Sequence, residues 1–220
     1  MPRGVESAEP RPNEAGTNAP RPAEPPSLRL PYDAAALDDA PLLTPRLVLR
    51  PLRERDAEDV YEYQRLPEVR RFIPWPAWSK EDAHAHTRKR AGWRRLADDG
   101  DGFILAMQLR AGGAEPARVI GDVMLRVDSA EDAGLEIGWV VHPAFQGLGL
   151  AREAASAVLT FGFSTLGAHR IHAALDARNE ASVRLCERLG MQREATFIEH
   201  WWADGEWTDS AIYATRSPVD

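Results

Sequence analysis

Between Leu135 and Arg152 the chain reads Leu-Glu-Ile-Gly-Trp-Val-Val-His-Pro-Ala-Phe-Gln-Gly-Leu-Gly-Leu-Ala-Arg. An apolar stretch runs into a proline, then into two closely spaced glycines, then into a helix-forming run. Gly147 and Gly149 let the backbone turn tightly and leave its N–H groups free. Free N–H groups at the start of a helix form a site for phosphate oxygens. A P-loop would need Gly-Lys-Ser/Thr at the end of this loop, and none is present. A dinucleotide fingerprint would need Gly or Ala where Arg152 stands. A plain strand-to-helix turn is the remaining reading that needs no ligand.

The elements around this loop follow from periodicity. Residues 46–50 alternate polar and apolar, as a half-buried strand does. A short helix starts at Asp56. Residues 67–78 hold Phe72, Ile73, Trp75 and Trp78 among three prolines and are expected to form an aromatic loop. Ser79 with Asp82 resembles a capping box, and a charged helix is expected to run to about Asp98. Strands are expected at 103–109, 119–127, 135–141 and 171–175. The helix expected at 148–166 places Leu150, Ala154, Ala157, Val158 and Phe161 on one stripe. A second helix, 179–189, ends at Gly190, and two strands flank the turn Asp204-Gly205. The helix at 148–166 is the crossover that a parallel pair of strands requires, so a mixed sheet is expected, antiparallel over its first four strands and parallel between strands 135–141 and 171–175.

Composition bounds the rest. The chain has 220 residues, 44% of them hydrophobic, and a net charge of −7. An acidic chain has no global attraction for nucleic acid. No apolar run approaches the ~20 residues that span a bilayer, and the first residues lack the apolar stretch of a secretory signal. A single cysteine, Cys186, fits a reducing cytoplasm. Cys186 falls on an apolar helical stripe and reads as packing. His84 and His86, two residues apart on a helix, face different directions, so no metal site is expected. Nine of the 17 prolines lie between Met1 and Pro41. Residues 1–40 are therefore expected to be a disordered tail, with apolar residues for docking only near its end at 28–43. A single domain is expected over 41–217.

Four blocks together resemble the GNAT superfamily of N-acetyltransferases. Gln146, Gly149 and Ala151 match its coenzyme A pyrophosphate loop, Gln/Arg-x-x-Gly-x-Gly/Ala. Residues 179–191 resemble its second block, Asn-x-x-Ser before an apolar helix and Gly-Phe, with Met191 in place of Phe. The stretches 44–52 and 204–214 resemble the RimJ/RimL-type branch. The resemblance spans about 43–216. It implies an α/β (α+β) single domain, with a mixed central sheet of about seven strands flanked by about four helices. It also implies a direct transfer from acetyl-coenzyme A to an amine. Gln146, Gly147, Leu148, Gly149, Leu150, Ala151 and Arg152 would hold the diphosphate. Trp139, Val140 and Val141 would pair through their backbone with the pantetheine arm, in the gap where two strands splay. One such N–H would stabilise the oxyanion.

Three side chains are candidates for the chemistry. Glu136 shares a strand face with Gly138 and Val140, and a carboxylate there needs water or a partner. It is the candidate general base for an amine; a salt-bridged structural glutamate is the competing reading. Ser182 would hydrogen-bond or protonate the leaving thiolate, and a solvated serine is the alternative. Asn179 suits a helix N-cap, and the resemblance adds contact with the cofactor or acceptor. Gly138 would allow a bulge or a close backbone approach. Trp75, Trp78, Trp201 and Trp202 either wall an acceptor site or belong to the core. The expected activity is acetylation of a primary amine, a protein N-terminus such as that of a ribosomal protein or a small molecule. The protein is expected to need acetyl-coenzyme A and no metal, to bind neither nucleic acid nor membrane, and to be a cytoplasmic monomer or homodimer. A non-catalytic acyl-coenzyme A-binding module is the alternative.

Overall fold

A computed structural model describes residues 26–73, 75–76, 78–110, 118–203 and 205–217. In chain order the elements are β1 (Tyr32–Asp33), α1 (Ala36–Asp39), β2 (Leu42–Leu43), β3 (Leu47–Pro51), α2 (Ala57–Gln64), α3 (Pro67–Arg70), α4 (Lys80–Ala91) and β4 (Arg95–Leu96). They continue with β5 (Gly102–Leu109), β6 (Val119–Ser129), β7 (Gly134–Val141), α5 (Leu150–Ser164), β8 (Arg170–Asp176), α6 (Glu180–Arg188), β9 (Gln192–Ala203) and β10 (Glu206–Arg216). The main sheet has eight strands in the order β2-β3-β5-β6-β7-β8-β10-β9. All neighbours are antiparallel except β7 and β8, which are parallel, as the crossover through α5 demands. The eighth strand is the two-residue β2, too short to show in a periodicity.

Helix α5 lies on one face of the sheet through the expected stripe. Leu150, Ala154, Val158 and Phe161 pack with Leu125, Leu135 and Ile137 in one core, which Cys186 of α6 joins, with Val183 and Leu189 packed against it. Helices α2 and α4 cover the other face. There Val60, Tyr63 and Ala91 meet Leu52, Ile104 and Ala106, and Met124 and Val140 join the rim of the same cluster. Helix α4 begins at Ser79, whose Oγ accepts from Asp82 N at 3.1 Å. It stops at Ala91, short of the expected Asp98, because Arg95 and Leu96 are drawn off to pair with Tyr32 and Asp33. The aromatic loop also contains a short helix, α3, begun by Pro67.

The packed unit begins earlier than the expected boundary at residue 41. Arg29 N donates to Leu166 O at 2.8 Å, Ala34 and Leu37 are buried, and Tyr32 stacks edge-on against Phe161 at 5.4 Å. The proline-rich composition hides this, but Leu28, Leu30, Tyr32, Ala34 and Leu37 supply enough apolar surface to dock. Residues 1–25 of the expected tail, and Asp204 of the expected turn, lie outside the described residues. No helix among the described residues is long and apolar enough to cross a membrane.

Candidate active site

The parallel ladder between β7 and β8 has three rungs: Gly134 with Arg170, Leu135 with Ile171, and Glu136 with His172. Beyond Glu136 the two strands part, while β7 stays paired with β6 as far as Val141 opposite Gly121. Residues 137–141 therefore present one backbone edge to a gap. Gly121 keeps β6 close here, since a Cβ on it would stand 2.3 Å from Val140 O. The pairing of β6 with β7 shows no register shift around Gly138, so of the two expected uses of this glycine, a bulge or a close approach, the bulge does not form. A Cβ on Gly138 would lie 3.4 Å from the Met124 methyl, which marks a close packing contact with a flexible side chain.

At the end of β7 a single 3-10 turn, Pro143–Phe145, is capped by His142, whose Nδ1 accepts from Ala144 N at 3.1 Å. Gln146 Nε2 donates back to Val141 O at 3.0 Å. Gly147 and Gly149 then adopt φ of +74° and +78°, which β-carbons resist. Gly149 is the N-cap of the 15-residue α5, and no side chain caps its first N–H groups. Gln146, Gly147, Leu148, Gly149 and Arg152 are exposed, and Ala151 is half-buried. Only Leu150 of the expected loop residues turns inward, at 4% exposure, to anchor the helix in the core.

A clasp that sequence reasoning missed holds this loop. Arg46 Nη1 donates to Leu148 O at 2.8 Å, and its Nε donates to Glu153 Oε2 at 2.7 Å. Glu153 Oε1 accepts from Thr44 Oγ1 at 2.6 Å and from Arg46 N at 2.8 Å. Burial works against the Glu153 carboxylate, but these donors hold it below its ordinary range. The signal was present only as strand-start residues, Thr44 and Arg46, which nothing local ties to a helix more than a hundred residues on.

Across the gap stands α6. Asn179 Oδ1 accepts from Ser182 N at 3.1 Å, the expected N-cap. Trp139 Nε1 donates to Ser182 Oγ at 3.3 Å, so the indole on β7 bridges to the serine on α6. Cys186, one turn further, is fully buried, and burial pushes its thiol up to about 12, which leaves it inert. Glu136 is partly buried at the last rung, where its Oε2 is ion-paired with Arg126 directly opposite on β6.

The face bearing Val140 is walled by buried polar groups. Arg90 Nη2 lies 2.5 Å from Asp122 Oδ1, and Tyr63 Oη donates to Asp122 Oδ2 at 2.5 Å; Asp122 is the residue opposite Val140. Burial first, then the Asp122 charge, raises the Tyr63 phenol well above its usual value, so it stays a donor. Trp75 and Trp78 lie together, with ring centroids 5.7 Å apart, and Trp78 lies 4.1 Å from the His86 ring. Trp75 also receives the Arg90 guanidinium over its face at 5.3 Å. Trp201 and Trp202 stand apart from these on β9, each more than half exposed. His84 faces Glu58 and Tyr61 instead of His86, and the described residues hold no cluster of metal ligands.

Comparison with known proteins places this arrangement. The profile of the family described as "Acetyltransferase (GNAT) domain" matches residues 46–192. The chain is 32% identical over 173 residues to "Uncharacterized N-acetyltransferase YnaD" of Bacillus subtilis (strain 168), covering 79% of this chain and 95% of the relative. It is 28% identical over 182 residues to the "[Ribosomal protein uS5]-alanine N-acetyltransferase" of Escherichia coli (strain K12), covering 80% and 91%. Among solved structures, a GNAT-family acetyltransferase from Bacillus anthracis superposes with a TM-score of 0.67 at 30% identity, covering 80% of this chain and 97% of that one.

Proposed function

The chain belongs to the GNAT family of acetyl-coenzyme A-dependent N-acetyltransferases, and on that premise we propose that it acetylates a primary amine in the cleft between β7 and β8. The acceptor is an α-amine at a protein N-terminus, as the relative named for ribosomal protein uS5 suggests, or a small molecule. The single observation that carries this reading is the parting of β7 from β8 directly ahead of the left-handed glycine loop. A thioester arm needs a backbone edge, and a diphosphate needs uncapped N–H groups; this stretch offers both.

Residues 146–152 receive the diphosphate through backbone N–H groups, with Arg152 and Arg46 as nearby cations. Backbone groups of Trp139, Val140 and Val141 receive the pantetheine arm, and one N–H faces the developing oxyanion. In the transfer the amine nitrogen bonds to the acyl carbon and the C–S bond breaks. The amine gives up a proton and the departing thiolate takes one, so the products are an amide and a free thiol. Glu136 accepts the amine proton, directly or through water, on Oε1, the oxygen that Arg126 leaves free. Ser182 already accepts from Trp139, which leaves its own hydroxyl proton to offer to the thiolate. Asn179 spends its oxygen on the helix cap and has only its NH₂ for a ligand.

The test is release of free thiol by the purified protein, with acetyl-coenzyme A and a panel of short peptides and small amines. Thiol release that depends on the amine, with the acetyl group recovered on nitrogen, is expected. Tight binding of acetyl-coenzyme A with no release on any amine would overturn the catalytic reading.

A further inference from the structure

A second recess lies beside the cleft. A cavity of about 300 Å³ opens between α2, α3 and α4, lined by Tyr61, Gln64, Arg65, Arg70, Trp78 and Ala83. Gln64 is 2% exposed, yet neither its Nε2 nor its Oε1 has a hydrogen-bond partner among the described residues. Arg70 Nε is also shut away from solvent without an acceptor. A buried, unpaired amide costs free energy, and native proteins rarely leave one without a water or ligand to serve it.

We infer that this cavity is the subsite for a carboxylate carried by the acceptor, so that the protein acts on an amino acid or an amine of similar chemistry. Gln64 Nε2 and Arg70 Nε would donate to the carboxylate oxygens, and Gln64 Oε1 would accept from a neighbouring N–H or O–H of the same molecule. The inference rests on the transfer reading above.

Charge selects the ligand class. Among the described residues the lining holds two guanidiniums and no carboxylate. Arg65 already binds Glu62 at 3.0 Å outside the recess, whereas the buried Nε of Arg70 has no partner among the described residues. A polyamine would meet these cations, whereas a carboxylate would complete them. The volume suits a small molecule or the end of a peptide.

Position ties the recess to the cleft. Trp78 of its wall touches His86, Trp75 carries Arg90, and Arg90 binds Asp122 opposite Val140 on the parted stretch of β7.

The experiment compares α-amino acids, their primary amides, spermidine, and amidated peptides with an acidic side chain near the free amine. Thiol release supplies kcat and KM. In parallel, calorimetry measures binding of N-acetyl amino acids and N-acetyl amino acid amides to the coenzyme A-bound protein, which needs no turnover. At least one carboxylate should be favoured over its amide by about 10-fold or more, the scale of a hydrogen bond to a charged group. Gln64→Leu and Arg70→Met should each erase that preference, mainly through KM. The free amino acids and the acidic peptides separate the two sources of a carboxylate. Absence of turnover with a retained binding preference would overturn the transfer reading and leave the subsite standing. Equal use or binding of carboxylates and amides overturns the subsite alone. If Gln64→Leu raises the melting temperature and leaves the preference intact, water serves the amide and the proposal fails.

Discussion

Glu136 sits at the last rung before β7 and β8 part, with one carboxylate oxygen engaged by Arg126 and the other free. Glu136→Gln should lower turnover by roughly 10²–10⁴-fold, the usual loss for a positioned base. The proposed cofactor contacts lie further along β7, so calorimetric affinity for acetyl-coenzyme A should hold. The deficit should shrink as pH approaches the amine's own pKa, about 8 for an α-amine. Arg126 is 46% exposed, so loss of the pair should cost under about 1 kcal/mol of stability. A variant with normal turnover would make the carboxylate a strand-pairing residue only. His86 carries a second expectation at this scale. Its burial beneath Trp75 and Trp78, and then the charge of Arg90, bring its pKa down to about 4 from 6.5. Between those values the unfolded chain binds the extra proton and the folded chain does not. Stability is therefore full above pH 6.5 and falls as pH drops toward 4. Denaturant midpoints at pH 7 and pH 5 should fall less in His86→Gln than in the parent protein. Equal drops would mean that His86 titrates as a solvated imidazole.

At the scale of elements, the clasp of Arg46 and Thr44 on Glu153 is what joins the start of β3 to the first turn of α5. Glu153→Gln or Arg46→Met should weaken acetyl-coenzyme A binding by about 10-fold, since charge-assisted bonds of this kind contribute about 1.5–3 kcal/mol and part of that holds the loop. Turnover at saturation should change little. An unchanged Kd in both variants would show that the two left-handed glycines hold the loop unaided. The loop, the α5 stripe and the Asn179 cap were legible in the sequence because each depends on residues within a few turns of each other, and the parallel pairing because a helix between two strands is the crossover such a pair requires. The clasp was not, since it joins residues 107 positions apart. The end of α4 was misjudged because a tertiary partner, Tyr32 and Asp33, captures Arg95 and Leu96. Gln64 gave no signal at all: a glutamine late in a helix reads as solvated until the fold buries it.

The whole molecule is larger at its N-terminal end than composition implied. Removal of residues 1–25 should leave turnover within about twofold, under ~0.5 kcal/mol in barrier, because that proline-rich stretch lacks apolar material for a core. Removal of 1–40 should behave differently. It strips Ala34 and Leu37 from the core, the Arg29 bonds to the end of α5, and the partner strand of β4. Loss of one buried leucine already costs about 2–5 kcal/mol, so this deletion should lower the denaturant midpoint sharply. Circular dichroism melts of both truncations, with turnover measured on each, separate the two segments. Equal behaviour would place the packed boundary at residue 41 after all.

The three rungs between β7 and β8 also govern how the molecule comes apart. On one side of them β3, β5, β6 and β7 form a continuous antiparallel block; on the other, β8, β10 and β9 form a second. So short a ladder makes the seam a natural boundary between cooperative unfolding units, with helix packing left to couple them. The C-terminal unit is then the one to open below the global free energy, and its amides lead in deuterium uptake. On the proposed reading, a ligand arm in the gap would bond to the edge of one unit while its neighbours belong to the other. Occupancy would then weld the two units, and acetyl-coenzyme A should make unfolding more cooperative as well as shifting its midpoint.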